Sequence, residues 1–285
     1  MARSEAADNG RPAAEASPRQ SPPERPDPTA RLTEADIVLQ LAYESTFAAV
    51  TLIHPQKPFG YVPAVTLYRD GTVIAFDQIH GTRWWSRGEH RAASDLEHVH
   101  ALGFAKLRSH MGDCRTTASG RSCVADAANV RLRVRRPDGT TRDLVNYAGN
   151  AAKHQAQLDA IYDRLEIIAT PPPTGGPRAA QPWIPARASL FLRFAEEIEP
   201  SDREGLARAL PWPLASELFE RARQQSWIVV ALDREQVLHV VDTLGTAGIP
   251  RTFRVGDEVV HAALVPWLPG VDHRPAIATT DLRSG

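Results

Sequence analysis

The chain is poor in cysteine, lysine and long apolar runs, and each shortage excludes something. Its two cysteines, Cys114 and Cys123, have eight residues between them, which suits neither a CxxC redox pair nor a four-ligand zinc site. Two readings stay open for them: a local disulfide closing a loop in an oxidising compartment, or two thiols in a reducing one. Lysine occurs only as Lys57, Lys106 and Lys153, so nearly all of the 33 basic residues are arginine, a bias that coding in a GC-rich genome accounts for. No apolar run approaches the length needed to cross a bilayer, so no transmembrane segment is expected. No apolar stretch follows Met1 as a signal peptide requires, which makes the cytoplasm the default compartment. A net charge of −1 gives no general attraction to nucleic acid or to an anionic surface, and nucleic acid is not an expected partner. GxSxG, HExxH, P-loop and GxGxxG signatures are missing, so the sequence offers no positive case for an enzyme and implies no cofactor.

What is present is mostly architectural. Three segments pair aspartate with glycine between strand-like flanks: Tyr68-Arg69-Asp70-Gly71-Thr72-Val73, Arg136-Pro137-Asp138-Gly139-Thr140-Thr141 and Arg254-Val255-Gly256-Asp257-Glu258-Val259. Such pairs tolerate the positive φ angles of two-residue hairpin turns, and the expectation is three hairpins of that kind. In the first, Val65, Leu67, Ile74 and Phe76 then share a face. In the second, Val130, Leu132, Val134, Val145 and Tyr147 do so, and Arg135 stands opposite Arg142.

Ile37, Leu39, Leu41 and Tyr43 have strand period, and a further extended piece is expected over 47–53. Ser94-Asp95-Leu96-Glu97 reads as a capping box opening a helix that carries Leu96, Val99, Gly103 and Leu107 on one face. A second helix, starting near Asn150, carries Leu158, Ile161, Tyr162 and Leu165. Ala188–Phe194 and Trp227–Leu232 read as strands, and Asp233-Arg234-Glu235-Gln236 caps a helix through Val237, Val240, Val241 and Leu244. Short helix starts are expected at Ser201 and Pro213.

The first thirty residues hold six prolines and, after Met1, no large apolar side chain, so they cannot bury enough surface to offset the entropy of ordering. The resulting organisation is a disordered tail over 1–31, a first module over 32–169, a Pro/Gly-rich linker over 170–182, a second module over 183–272 and a flexible C-terminus over 273–285. The fold class is α+β: antiparallel hairpins and sheets covered by helices, in two modules joined by the linker.

The segment from His80 to Arg91 is the best candidate for a functional surface. It mixes Arg83, Trp84, Trp85 and Arg87 between a strand and a helix, and exposed tryptophan beside arginine is the composition of interaction hot spots. Packing of both indoles in the core is the competing reading. Arg131, Arg133, Arg135 and Arg142 form a candidate anion face, against a solvated sheet face. His98 and His100 fall on a helix, where residues two apart diverge by about 200° and do not share a metal. With His80, His90 and His110 they make a histidine-rich region without i, i+4 spacing, and no metal site is assigned. Solvation, turn capping or pairing with arginine explains Asp113, Asp126 and Asp143.

The segments Val62-Pro63-Ala64-Val65-Thr66-Leu67-Tyr68-Arg69-Asp70-Gly71-Thr72-Val73-Ile74, Val124-Ala125-Asp126-Ala127, Trp212-Pro213-Leu214-Ala215 and Pro266-Trp267-Leu268-Pro269-Gly270 resemble, in that order, a group of uncharacterised bacterial proteins. Its members are often exported or lipid-anchored, and the resemblance spans residues 33 to 270. The group has no established activity and transfers no catalytic residues; this chain departs from it in lacking an export signal. The expected function is non-catalytic binding by an accessory protein of the bacterial envelope, with another protein or an envelope component as partner. A hydrolase-like enzyme using some of His80, His90, Asp113 and Asp126 between the modules is the alternative, followed by a purely structural protein.

Overall fold

Two of the aspartate–glycine segments fold into the same loop, and that loop decides the first sheet. In the computed structural model, Gly139 N–H donates to Arg136 O at 3.0 Å and Arg136 N–H to Thr140 O at 2.7 Å, leaving Pro137, Asp138 and Gly139 as a three-residue connection. Gly139 has φ 82°, and Asp138 Oδ1 accepts from Thr140 N–H at 2.8 Å. Around Gly71, with φ 87°, the bonds repeat: Gly71 N–H to Tyr68 O at 3.0 Å and Thr72 N–H to Asp70 Oδ1 at 2.9 Å. A three-residue loop ending in glycine at positive φ is the next commonest hairpin after the two-residue turns. The described residues are 29–44, 63–77, 81–111, 115–117, 120–122, 129–147, 154–173, 179–194, 210–211, 220, 223–224, 227–244, 251–255 and 258–269.

The extra loop residue moves both hairpins one step from the expected register, and a one-residue step turns every side chain to the other face. Strand β2 (Val65–Tyr68) pairs with β3 (Thr72–Asp77) as Leu67↔Val73 and Val65↔Ala75, so Ile74 and Phe76 do not share the face of Val65 and Leu67. Strand β8 (Asn129–Arg135) pairs with β9 (Thr141–Tyr147) as Leu132↔Leu144, Val134↔Arg142 and Arg135↔Thr141. Val145 and Tyr147 therefore lie on the opposite side from Val130, Leu132 and Val134. The third hairpin keeps the shorter form: β14 (Arg251–Val255) meets β15 (Glu258–Pro266) at Val255↔Glu258, with Gly256 and Asp257 between them and outside the described residues.

The fold is α+β. Strand β1 (Ile37–Glu44) lies between β2 and β8 and so unites both hairpins in one eight-stranded sheet. With β4 (Gly81–Ser86), β5 (His110–Met111) and β10 (Gln181–Pro182) the order is β10-β4-β3-β2-β1-β8-β9-β5, antiparallel except for the parallel pair of β5 and β9. Helices α1 (Glu89–Ala101) and α2 (Gln155–Ala169) cover one face: Ala92, Val99, Leu158, Ile161, Leu165 and Ile168 pack on Leu39, Leu41, Leu67, Val73, Leu132, Val134 and Leu144. Short strands β6 (Arg115–Thr117) and β7 (Gly120–Ser122) pair with each other. The second sheet has the order β12-β14-β15-β11-β13, adding β11 (Ala188–Phe194), β12 (Leu210–Pro211) and β13 (Trp227–Leu232). Helix α3 (Arg234–Leu244) buries Val237, Val240 and Val241 against it. The expected cap forms there and is reciprocal: Gln236 N–H donates to Asp233 Oδ1 at 3.0 Å, and Asp233 N–H to Gln236 Oε1 at 3.1 Å.

Several expected boundaries move. Helix α1 begins at Glu89 behind Gly88, and Ser94 lies inside it, because the apolar stripe Ala92–Leu96–Val99 extends the helix past the local box. It stops at Ala101, short of the expected Gly103 and Leu107, because Gly103 turns left-handed at φ 84° into the 3₁₀ turn Phe104–Lys106. Thr29 and Leu32 are buried, and Thr29 Oγ1 accepts from Trp183 Nε1–H at 3.2 Å, so the fold starts before residue 32. The segment read as a linker ends in strand: Gln181 and Pro182 pair with Trp84 and Arg83 of β4. The extended piece at 47–53, the start near Asn150 and those at Ser201 and Pro213 lie outside the described residues.

Candidate functional site

The segment carrying Arg83, Trp84, Trp85 and Arg87 is strand β4 and its exit, not a loop. Alternation along the strand sends the two indoles to opposite faces. Trp85 is 2% exposed in the helix-covered core. Trp84 is half-buried on the other face, against a cluster of Leu32, Ile37, Tyr68, Ile74, Trp183 and Leu268. That cluster joins the two sheets, since Leu268 follows β15; Tyr68 O–H also donates to Pro269 O at 3.3 Å. Burial, with Asp70 and Asp36 nearby, pushes the Tyr68 phenol well above its ordinary value. Arg83 is half-buried on the helix side. Arg87 Nε–H donates to Asp95 Oδ2 at 3.0 Å, and Arg164 donates to Asp95 Oδ1 at 2.5 Å. Asp95 is 1% exposed, so two guanidinium groups compensate one buried carboxylate and tie β4, α1 and α2 together.

The four arginines of the second hairpin are not on one face. Register places Arg131, Arg133 and Arg135 on the side away from the helices and Arg142 on the helix side, opposite Val134. The first three are held within the fold. Arg133 Nε–H donates to Asp143 Oδ1 at 3.0 Å and its Nη1 to Glu34 Oε1 at 2.8 Å; the Asp143 bond, then Glu34, holds the guanidinium above its ordinary value. Arg131 stands 3.9 Å from Asp143. Arg135 donates to Gly139 O at 3.0 Å and to the carbonyls of Ile37 and Ala35. Arg142 lies over the Phe104 ring and donates to Phe104 O, Ala105 O at 2.6 Å and Leu107 O, satisfying carbonyls of the 3₁₀ turn Phe104–Lys106. The expected repulsion between Arg135 and Arg142 does not arise, because Thr141 is the residue opposite Arg135.

The remaining candidates among the described residues lie on separate elements or are paired within the fold. His98 and His100 lie on α1; the His100 ring nitrogen Nε2 is 2.8 Å from Arg135 O, which fastens the helix end to the hairpin. His90 and His110 are exposed on separate elements. Asp143 is taken up by Arg131 and Arg133. Cys114, Cys123, His80, Asp113 and Asp126 lie outside the described residues. Among the described residues, no three His, Cys, Asp or Glu side chains are grouped as metal ligands.

The arrangement that sequence reasoning missed is Arg187 on Trp267. The Trp267 backbone N–H donates to Arg187 O at 2.9 Å, and its indole Nε1–H donates to Ser189 Oγ at 2.8 Å. The Arg187 guanidinium then lies over the ring, its Cζ 4.3 Å from the centroid, within the range of a cation–π contact. Arg187 is exposed and Trp267 half-buried, immediately before the cluster residue Leu268. Eighty positions separate the two, and no local signal joins them. No protein-family model, curated protein or solved structure matches this chain.

Proposed function

We propose that this chain is a non-catalytic binding or accessory protein whose recognition surface includes Arg187 and Trp267, beside the junction of the two sheets. One observation carries the reading: Arg187 is exposed, clamped on an anchored indole, and its N–H groups are not committed to a carboxylate among the described residues. The arginines of the second hairpin contrast with it, since carboxylates and carbonyls hold them internally. Tryptophan and arginine dominate the energetics of protein interfaces, and a side chain already fixed in place loses less freedom on binding. Trp84, half-buried on the junction cluster, belongs to the support of this surface. The resemblance to exported and lipid-anchored proteins is what supports an envelope setting.

A photo-reactive residue introduced at the exposed Ala186 tests the reading in the producing cell. Discrete cross-linked species are expected, and R187A or W267F should abolish them while thermal unfolding stays close to that of the parent. Cross-links that persist unchanged in the R187A/W267F double variant would reject this surface.

A further inference from the structure

The geometry at Arg187 narrows the chemistry of the ligand, provided the chain is the binding protein proposed above. The Trp267 ring lies against one side of the guanidinium, with Cζ 4.3 Å from the centroid, and no carboxylate among the described residues takes up the N–H donors, whose planar fork can meet a partner. That fork matches a carboxylate with two parallel hydrogen bonds. The indole cannot swing away, because its nitrogen is held by Ser189 Oγ and its backbone by Arg187 O. The ring against which the guanidinium rests is thus fixed before any ligand arrives. Its chain neighbours are apolar: exposed Ala186 and buried Pro185 precede it, and buried Pro266 precedes Trp267. A guanidinium beside exposed Ala186 and a half-buried indole suits a single negative charge next to apolar atoms. Recognition of phosphate monoesters instead uses arginine clusters, and Arg87, Arg133 and Arg164 are spent on internal carboxylates.

We infer that the Arg187–Trp267 pair is a carboxylate-binding site for an acidic peptide segment, the carboxylate lying edge-on to the guanidinium and its apolar neighbours resting on the rim of the indole. A side chain and a chain terminus both offer the same planar anion, and the probes below tell them apart.

The test uses the full chain and the indole N–H resonance of Trp267, assigned by its disappearance in W267F. Four probes are titrated: acetyl-Gly-Leu-Glu-Leu-Gly-amide, the same peptide with Gln for Glu, acetyl-Gly-Leu-Leu with a free terminal carboxylate, and inorganic phosphate. A saturable shift with at least one carboxylate probe is expected, with none from the Gln peptide. Response to the Glu peptide alone identifies a side-chain ligand, and response to the free terminus alone a chain end. R187K, which keeps the charge but loses the fork, should weaken binding by about tenfold, and R187A should remove it. Equal response to the Gln peptide, phosphate binding as tight as the carboxylate probes, or full affinity in R187K would each overturn the inference. So would silence from every probe; the cross-linking at Ala186 would then decide the broader binding reading on its own.

Discussion

The loops Arg69-Asp70-Gly71 and Pro137-Asp138-Gly139 share one hydrogen-bond pattern and differ in what surrounds the glycine. Both glycines have φ near +85°, a conformation that costs any other L-residue about 1–2 kcal/mol. At Gly139 an added Cβ would meet nothing within 4 Å. At Gly71 it would stand 2.3 Å from the backbone carbon of Gly88, because the tip of the first hairpin is pressed against the start of α1, where Arg87 N–H donates to Gly71 O at 2.8 Å. The same turn is a free surface connection in one hairpin and a packing joint in the other. A shared motif therefore sets the register of both sheet segments, while the neighbours set how much each glycine matters.

Substitution at the two turns separates these contributions. G71A combines the cost of positive φ with a backbone clash that cannot relax by a rotamer change, and should lower unfolding free energy by about 3 kcal/mol or more in a urea titration. G139A carries the conformational cost alone, about 1–2 kcal/mol in the same measurement. G88A sharpens the contrast from the other side of the joint. Gly88 has φ 82° with ψ 149°, a region close to exclusive to glycine, and open space around its missing Cβ, so G88A loses stability through conformation alone, by about 1–3 kcal/mol and without a clash. Equal losses for G71A and G139A would show that the joint does not hold in solution.

The smallest effect concerns the aspartate of the second loop. Hydrogen bonds from the Thr140 hydroxyl and backbone N–H hold the Asp138 carboxyl below its ordinary value of 3.8. A carboxyl lowered on folding stabilises the fold above its unfolded value, and that contribution is lost as pH falls through the lowered one. D138A should thus be slightly less stable than the parent at neutral pH, and the difference should close in acid. The Thr33 hydroxyl and N–H lower the Asp36 carboxyl in the same way, so D36A should follow the same course. A difference that persists unchanged below pH 3.8 would remove the carboxylate as the cause.

Much of the fold is legible where a signal is local and complete. The reciprocal box at Asp233 and Gln236 opens α3, and the apolar runs at Ala188–Phe194 and Trp227–Leu232 are strands with those bounds. Register is not legible, because Asp–Gly fits a two-residue and a three-residue loop equally well, and the difference is one residue. That residue moves Ile74 to the back of the sheet and Arg142 to the helix side. Ser94-Asp95-Leu96-Glu97 misleads for another reason: a cap sequence has no force inside a helix whose apolar stripe continues past it. Asp95, expected as part of that cap, is the buried anchor for Arg87 and Arg164. At Trp85 the sheet buries the indole, whereas Arg187 and Trp267 meet only because β11 and β15 pair, with Ala188 beside Pro266.

The order of residues alone determined where strands and helices form and which side chains seek burial, since those depend on periodicity and on contacts a few positions away. Which face each strand turns inward, and which arginine meets which indole, was decided only when distant strands paired. Those outcomes hang on single-residue register and on long-range neighbours, and no local pattern encodes either.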